Sequence, residues 1–328
     1  MKKLLLLFAL VIGLADTSFS QRMYSSMSYG ALYHEAGKPH PQIAEAGYTG
    51  ENWQRKDIKK GVFYSHQQKQ YNPEGFLISD ISYRKKGKKV RSSRYYAYNN
   101  GKLSAHCTLN EDGDSLSWAT YTYKNDKQTG YKQFSKKHPS TPYYSYETIL
   151  DEKERTLETR YLRKGKQFSR YVNSYSEDGK RVESKYYNNK NKLVAITSYA
   201  CDAKGETVEK EVKQRNFCTR KESLPNGNYV EINEYTNHKG KVFRSVTTYN
   251  KDSLLIERVS YTPKGKESYK QVNTYSTGKL LSRTESYDQG KPSWAYELDY
   301  TDKGFPKASR TFNSKGKLVD EFKIDWSK

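Results

Sequence analysis

Three places in the sequence bring together side chains that could do chemistry. His34-Glu35 followed by His40 nearly matches the helix in which two histidines hold zinc and a glutamate serves as base. The second histidine lies six residues on rather than four, and Gly37 and Pro39 would break the helix that must align the pair. Asn110-Glu111-Asp112-Gly113-Asp114-Ser115 sets acidic oxygens around a glycine, as half of a calcium loop does, but lacks the closing glutamate. Glu152 and Glu154 stand together where a turn is expected. No phosphate-binding glycine loop and no nucleophile elbow occurs. The reading is of a chain that is not an enzyme, with no catalytic residue, no metal and no cofactor.

The lysines are the chemistry with reach. Lys85, Lys86 and Lys88, then Lys164 and Lys166, Lys239 and Lys241, and Lys264 and Lys266 all flank glycines. They contribute to 58 Lys+Arg against 37 Asp+Glu, a formal charge of +21. If alternate turns of a sheet emerge on one edge, these lysines form a basic rim that attracts anionic polymers and responds to salt. Interleaved tyrosines could stack on sugar rings. The competing reading is that the lysines keep turns soluble and guard sheet edges against aggregation.

The elements that must position these residues follow from a repeat. An aromatic, two to four polar residues, Gly and usually Lys recur along the chain. Examples are Tyr98-Asn-Asn-Gly101-Lys102, Tyr175-Ser-Glu-Asp-Gly179-Lys180 and Tyr261-Thr-Pro-Lys-Gly265-Lys266. Tyr275 to Gly278-Lys279, Tyr287 to Gly290-Lys291 and Phe312 to Gly316-Lys317 continue it. One unit of about 12–13 residues is a strand plus a turn, with Gly supplying the positive φ of a tight hairpin. In Val242–Tyr249, Phe243, Ser245, Thr247 and Tyr249 share one face and Val242, Arg244, Val246 and Thr248 the other. Neither face is purely apolar. The expected fold is all-β: an extended, twisted antiparallel meander of hairpins of about 25 residues. Cross-strand Tyr–Tyr and Tyr–Thr pairs would hold it, each strand-end tyrosine packing against neighbours two strands away.

The phrase resembles the YD repeats of RHS-type proteins and the MORN-type hairpin repeats of bacterial envelope proteins. That resemblance implies scaffolding, surface presentation or ligand contact, and carries over no catalytic residue.

Lys2 and Lys3 precede an apolar run, Leu4–Leu14, and small residues lead to Gln21, the layout of a secretory signal peptide over 1–20. Residues 21–60 lack the rhythm and read as an N-terminal cap or partly mobile leader. The repeat domain is then 61–328, irregular near 136–142 and 200–234. In an exported protein Cys201 and Cys218 could close a disulfide loop, with three free thiols as the other reading; the odd count leaves Cys107 over.

Leu, Ile, Val and Phe make up only roughly 17% of the chain, a level at which disorder is the default. The 31 tyrosines at regular spacing argue against that default. The low apolar content excludes a polytopic membrane protein, and no segment after the leader reaches transmembrane length. The expected function is an exported, non-enzymatic scaffold or protein-interaction module at the bacterial envelope, in the periplasm, at the outer membrane or outside the cell. The rival is a secreted binding protein for anionic polysaccharide or lipopolysaccharide. Export disfavours nucleic acid as a partner.

Overall fold

The computed structural model describes residues 36–199 and 212–328. A short helix, α1 (Pro41–Ala46), precedes β1 (Gly50–Asp57), β2 (Val62–Tyr71), β3 (Leu77–Arg84), β4 (Lys89–Asn99), β5 (Lys102–Leu109), β6 (Ser115–Lys124) and β7 (Lys127–Ser135). Then come β8 (Tyr144–Leu150), β9 (Thr156–Arg163), β10 (Lys166–Tyr175), β11 (Arg181–Asn188), β12 (Leu193–Ser198), β13 (Lys213–Ser223) and β14 (Tyr229–Thr236). The last are β15 (Val242–Tyr249), β16 (Leu255–Tyr261), β17 (Glu267–Tyr275), β18 (Leu281–Asp288), β19 (Lys291–Tyr300), β20 (Pro306–Asn313) and β21 (Leu318–Ser327).

Each strand pairs with its successor, and β1 pairs with both β2 and β21. The sheet is therefore a closed 21-stranded barrel, which corrects the expectation of an open, extended meander. The closing strand lies inside 21–60, the stretch read as an N-terminal cap or leader. Gly50–Ser327 to Arg55–Phe322 is the closing ladder. An odd ring cannot alternate direction throughout, so one neighbouring pair must run parallel. That pair is β12–β13, from Ala195–Lys213 to Ser198–Asn216. The connection between them spans residues that include 200–211, outside the described set, where the turn rhythm also fades in sequence.

The repeat aromatic has a specific place. The register slips at Tyr249, Tyr261, Tyr275, Tyr287, Tyr300 and Phe312, so each sits at a bulge. A bulge tightens the local twist and re-aims its side chain. At one end of the barrel the re-aimed ring reaches back along its hairpin. Tyr98, Tyr123, Tyr275 and Tyr300 donate their hydroxyls to the carbonyls of Leu77, Leu103, Leu255 and Leu281 at 2.8–3.0 Å. Leu77, Leu255 and Leu281 are the first residues of the adjacent strand, and Leu103 is the second residue of β5. Burial pushes the Tyr300 hydroxyl up to about 12, so it stays a donor.

Across β4–β11 the rings of Tyr96, His106, Tyr121, Tyr131, Tyr146, Tyr161, Tyr171 and Tyr186 form a continuous ladder, with centroids 4.9–6.2 Å apart. Such contacts lie in the range where aromatic pairs attract beyond their buried area. Polar rows run on both faces across β15–β21. Thr247, Arg258, Gln271, Ser286 and Trp294 follow one another on one face of β15–β19. On the other, Arg283, Glu297, Arg310 and Glu321 line up across β18–β21.

The apolar packing is local. Trp53, Tyr296, Leu298, Phe322 and Ile324 cluster where the ring closes. A second cluster joins Ile43 of α1 to Tyr71, Leu77 and Phe305. The helix starts with Pro41 and ends on Gly47 at φ 67. Its entry is held by His40 N–H donating to the Gly75 carbonyl at 3.0 Å. A side chain at Gly75 would lie 2.4 Å from the His40 carbonyl oxygen, so only glycine fits there.

Candidate functional site

Strand order sorts the turns onto two rims. One rim carries the β1–β2, β3–β4, β5–β6, β7–β8, β9–β10 and β11–β12 turns, then those of β14–β15, β16–β17, β18–β19 and β20–β21. The other carries the remaining nine hairpin turns and α1. All nine lysines singled out in the sequence, Lys85, Lys86, Lys88, Lys164, Lys166, Lys239, Lys241, Lys264 and Lys266, fall on the first rim, and all are exposed.

The local sequence shapes each of these turns. Asn237 accepts the Lys239 and Lys241 backbone N–H groups on its side-chain oxygen at 2.9 and 3.1 Å. Asn313 does the same for Lys315 and Lys317 at 3.0 and 3.1 Å. Gly240 and Gly316 take φ 69 and φ 72 between the two lysines. The asparagine fixes the turn and the glycine reverses the chain, so the flanking lysines point outward from a rigid loop. Every Lys-Gly-Lys step of the described chain, at 86–88, 164–166, 239–241, 264–266 and 315–317, lies on this rim. Not every glycine takes the special conformation: in Ser276–Leu280 the positive φ belongs to Lys279, at 61, and not to Gly278.

The rims differ in charge. The turns of the first hold sixteen lysines against three carboxylates, Glu111, Asp112 and Asp114, all in one turn. The turns of the second hold six basic against nine acidic residues. Pairing sharpens the contrast. On the second rim Arg155, Lys180 and Lys279 sit on Asp151, Asp178 and Asp252 at 2.6–2.9 Å. On the first, Lys86 pairs with Asp57 and Lys136 with Asp114. Lys239, Lys241, Lys264, Lys266, Lys315 and Lys317 have no carboxylate within 4.0 Å among the described residues.

No known protein family and no curated protein matches this chain. Among solved structures it is similar to a porin-like protein from Bacteroides uniformis, at 7% identity and TM-score 0.30, over 85% of this chain and 98% of that one. A porin-like protein from Bacteroides vulgatus gives 10% identity and TM-score 0.22, over 84% and 97%. The Photorhabdus luminescens Tc holotoxin pore gives 11% identity and TM-score 0.25; the match spans 80% of this chain and 15% of the toxin chain. Of the resemblance to YD and MORN repeats, the repeated β style stands and family membership does not.

The remaining sequence candidates separate. Asn110–Asp114 is a turn in which the Asn110 side-chain oxygen accepts from Asp112 N and Asp114 N at 3.0 and 2.8 Å. Glu154 occupies a turn at φ 60. His34 and Glu35 lie outside the described residues, and His40 caps α1. No group of three potential metal ligands occurs among the described residues. Cys218 is buried on β13 and disulfide-bonded, Cys107 is free, and Cys201 lies outside the described residues.

One constellation had no signal in sequence. Where the ring closes, the Lys69 ammonium lies 2.6 Å from Glu51, whose carboxylate also accepts the Tyr71 hydroxyl at 3.0 Å. Lys69 stands 5.3 Å over the Trp53 ring. Burial, then the Glu51 charge, hold the Tyr71 hydroxyl far above its ordinary value, so it remains a donor. A cleft of about 300 Å³ lined by Glu51, Asn52, Gln68, Lys69, Asp325 and Trp326 opens beside them. Its charged groups are already mutually satisfied, which suits locking a register rather than turning over a substrate.

Proposed function

We propose that this chain is an exported, non-enzymatic β-barrel scaffold that acts through protein interaction at the bacterial cell envelope. One observation carries the reading: the tyrosine hydroxyls, the aromatic ladder and the buried ion pair at the closure are all employed in holding the sheet. Tyrosine hydroxyls latch hairpins, the aromatic ladder spans eight strands, and Glu51, Lys69 and Tyr71 satisfy one another at the closure. The N-terminal Lys2-Lys3 and apolar Leu4–Leu14 support export. Among the described residues no helix is long and apolar enough to cross a membrane. Both faces of the wall carry charged or hydrogen-bonding residues, whereas a lipid-embedded barrel shows lipid an apolar band about 25 Å tall. This stretch of the wall, β15–β20, therefore suits water on both faces.

The test is fractionation of the native cell followed by photocrosslinking from single positions on each rim. Recovery of the chain outside the cytoplasm, with a discrete envelope protein crosslinked from particular positions, is the expected result. Cytoplasmic retention, or no discrete product from any position, would overturn it.

A further inference from the structure

The lysine rim carries a second feature that its charge does not explain. Ile58, Val62, Phe63, Leu116, Val242 and Val319 are all exposed, Val62 by 56% and Val319 by 46%. Each lies in a turn of the lysine rim or within two residues of one. They recur around the ring, on β1–β2, β6, β15 and β21. Leu116 adjoins the rim's acidic turn, Glu111 to Asp114, but solubility does not account for Ile58, Val62, Phe63, Val242 and Val319, which are set beside lysine turns. Edge protection does not either, because a closed barrel has no edge strand to guard. The opposite rim also exposes apolar side chains beside its turns, Ile149, Leu157 and Val182, but lacks the lysine excess, so it is the combination that sets the lysine rim apart.

We propose that this rim docks the barrel end-on against the anionic headgroups of a phospholipid surface, with the apolar side chains entering the headgroup layer. The reading deepens the envelope assignment and rests on it. Four observations point to a lipid surface rather than to a soluble polyanion. The charges form a ring, with turns on alternate strands roughly 10 Å apart, which meets a plane more fully than it meets one linear chain. The cations are lysines, point charges without the planar fork that grips individual carboxylates or phosphates. Anionic headgroups attract each added lysine near the surface, and the attraction fades within a Debye length. Apolar side chains among basic ones find no partner on a hydrated polysaccharide, but they do at the boundary of headgroup and acyl chain.

The test is cosedimentation of the full chain with vesicles of phosphatidylcholine alone and of phosphatidylcholine with phosphatidylglycerol at about 3:1. The leader is the same in every variant, so differences between variants report the rims. Binding to the anionic vesicles that weakens as salt rises is expected. The variant Lys239→Gln/Lys241→Gln/Lys264→Gln/Lys266→Gln should lose affinity about tenfold or more. A charge-matched variant of the opposite rim, Lys153→Gln/Lys180→Gln/Lys251→Gln/Lys303→Gln, should stay within about twofold. Val242→Ser/Phe243→Ser should weaken binding about threefold while leaving its salt dependence in place. Thermal melts confirm that each variant is folded. No binding to anionic vesicles at low salt, or equal loss from both lysine variants, overturns the proposal. Tighter binding to soluble heparin than to vesicles in the same buffer overturns it too and assigns the rim to a polysaccharide. Vesicle docking that fails while rim-specific envelope crosslinks persist removes this inference and leaves the scaffold reading standing.

Discussion

The Lys69 ammonium of β2 meets the Glu51 carboxylate of β1 at 2.6 Å, with the two side chains 3% and 1% exposed. At this burial neither charge can be left alone cheaply. Glu51→Gln and Lys69→Met should each cost about 3–5 kcal/mol, because each strands a buried charge. Replacing both, as Glu51→Leu/Lys69→Met, should cost much less than the sum of the single changes. Urea denaturation of the three variants checks this. Single-variant losses under about 1 kcal/mol would mean that water screens the pair and that the closure is open.

The tyrosine latches predict a ranking. Tyr275→Phe and Tyr300→Phe keep the ring and remove only the hydroxyl bonded to Leu255 and Leu281 at 2.8 Å. Each should lose about 0.5–1.5 kcal/mol. Lys315→Ala, at an exposed turn with no carboxylate nearby, should change stability by less than about 0.5 kcal/mol. Thermal melts giving the opposite order would remove the latch from the account of the fold.

Acid should loosen the barrel through its histidines. Burial holds His106 below its ordinary value of 6.5, and Arg94 adds to the effect. His66 is lowered by burial and by Arg55 and Arg91, against Asp320. Since the folded values lie below the unfolded one, the unfolded chain binds more protons as pH falls below about 6.5. Stability is therefore full above that pH and declines as pH drops toward the folded values. Denaturation midpoints at intervals from pH 7.5 to 5 should show this slope. His106→Phe, which keeps a ring between Tyr96 and Tyr121, should remove part of it.

Strands and turns were readable because the repeat writes them locally. The aromatic that marks each unit sits at the bulge, and the glycine after it takes the turn. Closure was not readable. β1, Gly50–Asp57, carries no aromatic–Gly–Lys phrase, and its pairing with residues 322–327 spans nearly the whole chain. The parallel β12–β13 pair was hidden for the same reason: it is demanded by the parity of the ring, which no local pattern encodes. The lysine rim was half visible. Alternation of turns gave its positions, but the carboxylate-rich opposite rim emerges only when strand direction is followed around the barrel. Val62 or Val319 reads in sequence as an ordinary strand residue. Glu51 and Lys69, eighteen residues apart, become partners only through the β1–β2 register.

Closure of the ring can be tested directly, since an open meander would leave β1 and β21 at opposite ends of a long sheet. Gln54 and Lys323 face each other across the closing ladder. Directly paired positions on neighbouring antiparallel strands have Cα separations of about 4.5–5.5 Å, within the reach of a disulfide. In a Cys107→Ser background, which removes the free thiol and leaves Cys218 untouched, Gln54→Cys/Lys323→Cys should oxidise rapidly under mild conditions. The bond should form within one molecule, giving a faster-migrating monomer on non-reducing gels. It should also raise the denaturation midpoint, because the loop it closes covers most of the chain. The control Gln54→Cys/Lys307→Cys places its second thiol on β20, outside the closing ladder, and should stay reduced under the same conditions. Dimers without an intramolecular product, or equal oxidation of both pairs, would show that β1 does not lie beside β21.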